Sequence, residues 1–176
     1  MDVRLLERFS DCIISLDELD VRLKSMHISK VEFGPPSHGW MELTFGSRKT
    51  TVSDVPCDSL YGLVKCMRNF LLGSSKEVVD CSLEPEYEKW VFERNDDKEV
   101  FHILNFDSEA QITTTNPIGL IAILTNELDK LYQKSFKDNP SIEENWSWDF
   151  PLDSLRALQA ELVEQSVPPK SDRAGG

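Results

Sequence analysis

Residues 84–109, EPEYEKWVFERNDDKEVFHILNFDSE, decide the fold. Two alternating runs, Tyr87 to Asn95 and Lys98 to Phe106, flank a turn at Asp96-Asp97 and read as paired antiparallel strands. A loop of two residues, or of four centred on the same pair, gives one register: Arg94 opposite Glu99, Phe92 opposite Phe101, Trp90 opposite Ile103. One face then collects Trp90, Phe92, Phe101 and Ile103, whose cross-strand contacts contribute roughly 0.2–1 kcal/mol per pair. That is the expected core face. The other carries Val91, Val100, His102 and Leu104 among Tyr87, Lys89 and Glu93, so it is either partly covered by an N-terminal helix or open to a partner.

The same stretch holds nine carboxylates against three cations, a net −6 out of the chain's formal −12. Such a concentration repels nucleic acid and anionic membranes and attracts a basic protein. Nucleic-acid binding needs Lys/Arg clusters, and the only basic knots are Arg48-Lys49 and, more weakly, Arg22-Lys24. Neither makes a track.

Outward from the hairpin, further elements follow from the same rules. Trp40 to Gly46 alternates as a half-buried strand, Gly46-Ser47 turns the chain, and Arg48 to Val55 returns as a second strand. Asp58 or Ser59 caps a helix whose apolar stripe is Leu60, Leu63, Val64, Met67 and Leu71, ending at Gly73. Glu77 to Leu83 is a third strand, closed by Pro85. Asn116-Pro117 opens a helix carrying Ile121, Leu124, Leu128 and Leu131 down one face, and Asn139-Pro140 lies beyond its end. A linker with Trp146-Ser147-Trp148 leads to a last helix from about Pro151 that carries Leu152, Leu155, Leu158 and Leu162. The first thirty residues read as mainly helical through Leu6, Phe9, Ile13 and Leu16, although Ser29 to Phe33 also suits the start of a sheet. The expected architecture is α+β: a mostly antiparallel sheet of about five strands with helices packed on it. Residues 1–166 are expected to form one domain and 167–176, rich in proline, glycine and charge, a disordered tail.

No catalytic, metal or cofactor motif stands out. Cys12, Cys57, Cys66 and Cys81 lack the paired spacing zinc requires and read as free, mostly buried thiols. Asn95-Asp96-Asp97 lacks the glycine and terminal glutamate of a calcium loop. Leu72-Gly73-Ser74-Ser75-Lys76 has the residue types of a phosphate loop but lacks its first glycine and follows a helix instead of preceding one. His102, between Val100 and Leu104, reads as a half-buried core imidazole before it reads as a base. The longest apolar run, Ile118 to Leu124, is far short of the roughly 20 residues of a membrane span, and the charged start of the chain is unlike a signal peptide, so a cytoplasmic location is expected.

The order from Trp40 to Phe106, with its hairpin, Asp58-Ser59-Leu60 opening a helix, and Glu84-Pro85-Glu86-Tyr87 ahead of Trp90-Val91-Phe92, resembles the small acidic α/β immunity-type proteins encoded beside bacterial polymorphic and contact-dependent inhibition toxins. The likeness covers a little over a third of the chain and carries no shared active-site residue. It implies a non-enzymatic cytosolic protein that binds a toxin domain, often a nuclease with a basic cleft, and blocks it. The residues expected to meet that partner are Glu84, Glu86, Glu88, Glu93, Asp96, Asp97 and Glu99 as charges, with Tyr87 and Trp146 or Trp148 as desolvated anchors, the other reading of the two tryptophans being that they pack the last helix onto the sheet. Two rival expectations are a homodimeric structural or regulatory subunit and an enzyme of unfamiliar type using His102 or Cys81.

Overall fold

The computed structural model describes Ile28 and residues 30–55, 57–82, 88–104 and 110–166. The expected N-terminal helix falls almost wholly outside these residues, and the expected tail, Glu84, Glu86 and Tyr87 fall outside them entirely.

Alternation of apolar and polar residues lays down seven strands among the described residues. In chain order the elements are β1 (Val31–Phe33), β2 (Trp40–Phe45), β3 (Arg48–Ser53), helix α1 (Ser59–Leu71), β4 (Lys76–Ser82), β5 (Glu88–Arg94), β6 (Glu99–Leu104), β7 (Ala110–Thr114), helix α2 (Pro117–Leu131) and helix α3 (Leu152–Ser166). A π-helical turn, Tyr132–Phe136, prolongs α2, and a 3-10 turn, Ile142–Glu144, follows it. The fold is α+β and its strands are antiparallel, as the residues predict. They form two sheets instead of one: β1-β2-β3, and β4-β5-β6-β7. In each, every strand bonds to its neighbour in sequence.

The central hairpin adopts its predicted register, with Arg94 opposite Glu99, Phe92 opposite Phe101 and Trp90 opposite Ile103. Those four apolar side chains are fully buried. Phe45 at the end of β2 joins the sheets: its ring lies 5.3 Å from Trp90, edge-on, and 6.3 Å from Phe101. Phe70 of α1 stands 5.7 Å from Phe92 and brings the helix onto the same cluster. Edge-to-face and tilted pairs of this kind add roughly 0.5–1.5 kcal/mol each beyond the area they bury.

Both predicted caps form. Asp58 accepts the Tyr61 N–H at 2.9 Å, and Asn116 accepts the Gly119 N–H at 3.0 Å with Pro117 in the first turn of α2. Helix α3 is tied to α1 by Arg68–Glu161 (2.7 Å) and to α2 by Arg156–Asp129 (2.9 Å). Its Leu155 and Leu158 are fully buried. The π-helical turn carries Tyr132 and Phe136 onto Phe150, and Phe136 also onto Trp146, which closes the lower end of the core.

Candidate functional site

Asn95 builds the tip of the central hairpin. Its side-chain oxygen accepts the backbone N–H groups of Asp97 (3.2 Å) and Lys98 (2.9 Å), and its own N–H bonds to the Lys98 carbonyl. This Asx turn sets Asp96 and Asp97, both exposed, at the apex. Below them Arg94 holds Glu99 at 2.6 Å while its guanidinium lies 4.5 Å from the Phe70 ring centroid. The tip and Thr115, just ahead of α2, border an open hollow of about 530 Å³.

The acidic residues expected to face a partner divide into two groups. Glu93 pairs with Lys76 across the sheet at 3.0 Å, Glu99 pairs with Arg94, and Glu88 accepts the hydroxyl of Thr50, linking β5 to β3. These carboxylates are engaged within the fold, and the Arg94–Glu99 pair is the one that the register of the hairpin sets face to face. Asp96 and Asp97 make no side-chain ion pair among the described residues. Among the described residues of the ribbon, the carboxylates without a partner are therefore those of the tip.

The tryptophans separate as well. Trp146 is 2% exposed and packs against Phe136, so a partner cannot reach it and it is corrected from anchor to core residue. Trp148, two residues on, remains 45% exposed. Asp54 explains the difference. Buried at the end of β3, its carboxylate accepts the Ser147 N–H at 2.6 Å, and its backbone carbonyl accepts the Trp148 indole N–H at 2.7 Å. Gly39, at φ +81°, lies against that carboxylate; a Cβ there would come within 2.4 Å of Asp54 Oδ1. Only glycine gives both the left-handed backbone and the space.

A second acidic region, which the sequence suggested only through the Asp58 cap, lies where α1 begins. Asp58, Asp149 and Asp153 border a groove of about 320 Å³ together with Tyr61, Phe150 and Leu152. Burial raises the Asp58 carboxyl above its ordinary value against the backbone hydrogen bonds of Tyr61 and Leu60, and the charges of Asp149 and Asp54 push it the same way.

The residues weighed for catalysis occupy quieter places. His102 Nδ1 lies 3.0 Å from Thr113 Oγ1 on the outer face of the second sheet, and burial lowers its pKa. Burial, aided by Glu77, pushes the Cys66 thiol up to about 12, and burial raises the Cys81 thiol well above its ordinary value. Both sulfurs are thiols, not thiolates, at neutral pH. Among the described residues, no cluster of three or more His, Cys, Asp or Glu is arranged to hold a metal ion, and no helix is long and apolar enough to cross a membrane.

Comparison with family models, with curated proteins and with solved structures finds no match to this chain.

Proposed function

We propose that this protein is a non-enzymatic binding module that neutralises a protein toxin by covering its basic active-site or substrate-binding surface. The observation that carries the reading is the hairpin apex. Asp96 and Asp97 project from a turn stiffened by Asn95 and form no ion pair among the described residues, on a chain of formal charge −12. Two fixed carboxylates at the end of a rigid ribbon stand in for the phosphates a nuclease cleft is built to hold, and the surrounding negative field speeds encounter. Charge by itself yields fast but salt-sensitive complexes; exposed aromatic area such as that of Trp148 slows dissociation.

Growth of a host cell tests this. The reading expects a toxin domain to be encoded directly upstream of the gene for this chain. Cells producing that domain should arrest, recover when the chain is co-expressed, and recover less well with D96K/D97K. Arrest that the wild-type chain leaves untouched would sink the proposal.

A further inference from the structure

The two sheets differ in their outer faces. That of the first sheet is polar: Glu32, Glu42, Thr44, Lys49 and Thr51 lie on it, and Lys30–Glu32 and Lys49–Glu42 pair across it, as on a solvated antiparallel face. The second sheet is apolar on both sides. Trp90, Phe92, Phe101 and Ile103 face the helices and belong to the core cluster. Val91 and Val100 point the other way and lie outside that cluster, yet they are only 5% and 7% exposed. Strand pairing sets them in one continuous surface: Val78, Val91, His102 and Thr113 share a row, and Glu93 and Val100 share the next. Helix α1 reaches this sheet through Phe70 and Phe92, on the opposite face. An apolar sheet face is stable only against another layer.

We propose that the chain's own first 27 residues supply that layer, an amphipathic helix lying across the outer face of the second sheet over Val91 and Val100. Leu5, Phe9, Cys12, Leu16, Leu19 and Leu23 recur at spacings of 4, 3, 4, 3 and 4, which is one stripe along a helix. Leu6 and Ile13 widen the stripe, and Glu7, Asp11, Glu18 and Arg22 fall on the opposite side. From Leu5 to Leu23 such a helix is about 28 Å long. Four strands about 4.8 Å apart present a face about 14 Å across, so the helix spans it. The tether is short. Ile28 is buried, Val31 pairs with Phe45, and the Phe45 ring lies 5.3 Å from Trp90, the chain neighbour of Val91. Residues 24–27 reach up to about 14 Å when extended. A segment held that close sits at high effective concentration over the face, and a free partner must displace it. A 4-3 stripe also suits pairing with a second copy, but two helices closed on each other leave Val91 and Val100 without a cover. The inference stands apart from the toxin-neutralising reading: it assigns the outer face to the chain itself and leaves the hairpin tip to a partner.

The test is NMR of the full chain with ¹³C-labelled Ile, Leu and Val methyl groups. The expected result is NOEs from the Val91 and Val100 methyls to side chains within residues 5–23. L16D/L19D then puts two charges into the stripe. It should raise the relaxation of the Val91 and Val100 methyls by a soluble gadolinium chelate toward that of Val163, which is 65% exposed. The Ile103 methyl, fully buried on the inner face, should stay protected and so report that the core is intact. If L16D/L19D exposes Ile103 as well, the fold is lost and the wild-type NOEs decide alone. Mixing labelled with unlabelled chain tests the second copy: filtered NOEs from these methyls to residues 5–23 of the other molecule would seat a second chain there and overturn the inference. Valine methyls that contact only residues 28–166, or that relax in an intact L16D/L19D as they do in the wild type, would overturn it too.

Discussion

Trp148 donates its indole N–H to the carbonyl of Asp54 over 2.7 Å, across 94 positions of sequence. With the bond from the Ser147 N–H to the Asp54 carboxylate, this staples the segment before α3 to the end of β3. Replacing Asp54 with alanine removes the carboxylate partner of Ser147 while keeping the backbone carbonyl. The expected cost is about 1.5–3 kcal/mol, the range for hydrogen bonds to charged groups. Urea unfolding followed by tryptophan fluorescence measures it, and a midpoint unchanged from wild type refutes it.

Asn116 and Gly119 are expected to couple non-additively. A Cβ on Gly119 would lie 2.3 Å from Asn116 Nδ2, so G119A displaces the capping side chain. In the wild type, G119A should therefore destabilise by about the value of a cap, ~1 kcal/mol. With N116A already in place the clash is gone and the alanine's helix preference should restore up to ~1 kcal/mol. A double-mutant cycle of denaturation midpoints decides; simple additivity rules out the arrangement.

The lowered pKa of His102 sets a direction for acid stability. Burial disfavours the imidazolium in the fold, so the unfolded chain binds the proton more readily. Its contribution is present above the unfolded value of about 6.5 and is lost as pH falls from there through the lower folded pKa. H102Q should flatten the stability profile between pH 7 and pH 5. If the wild-type and H102Q profiles run parallel over that window, the imidazole is not responsible.

Charge reversal at the hairpin apex should leave the fold almost untouched. Asp96 and Asp97 are exposed and make no ion pair among the described residues, so D96K/D97K should change unfolding free energy by less than about 0.5 kcal/mol. A thermal melt checks this and establishes that any loss of rescue comes from the surface. A large drop in melting temperature would place the two carboxylates inside a stabilising network instead.

The central hairpin was legible because a period-2 pattern on both arms allows one register that buries Trp90, Phe92, Phe101 and Ile103 together. The two caps were legible because Asp58 and Asn116-Pro117 act on their own backbone. Strand β7 escaped notice: Ala110–Thr114 is short and polar, and its burial comes from lying beside β6, a tertiary fact. The division into two sheets was equally hidden, since alternation reveals a strand's inward face but not which strand α1 leaves it next to. At the candidate site the pairing of Glu93 with Lys76 spans two strands and was beyond a local reading. Trp146 and Trp148 look alike in sequence, and only the Asp54 staple separates the core residue from the surface one. The Asp149–Asp153 groove needs α1 and the start of α3 side by side before it exists at all.

Because every strand bonds only to its immediate successor, each sheet closes through short loops, and little chain entropy is lost before its ladder forms. Joining the two sheets is a separate event, and the contacts of Phe45 with Trp90 and Phe101, like the bond of Thr50 to Glu88, exist only once it has happened. One ring at the end of a six-residue strand thus reports on the docking of the sheets, separately from the zipping of either meander.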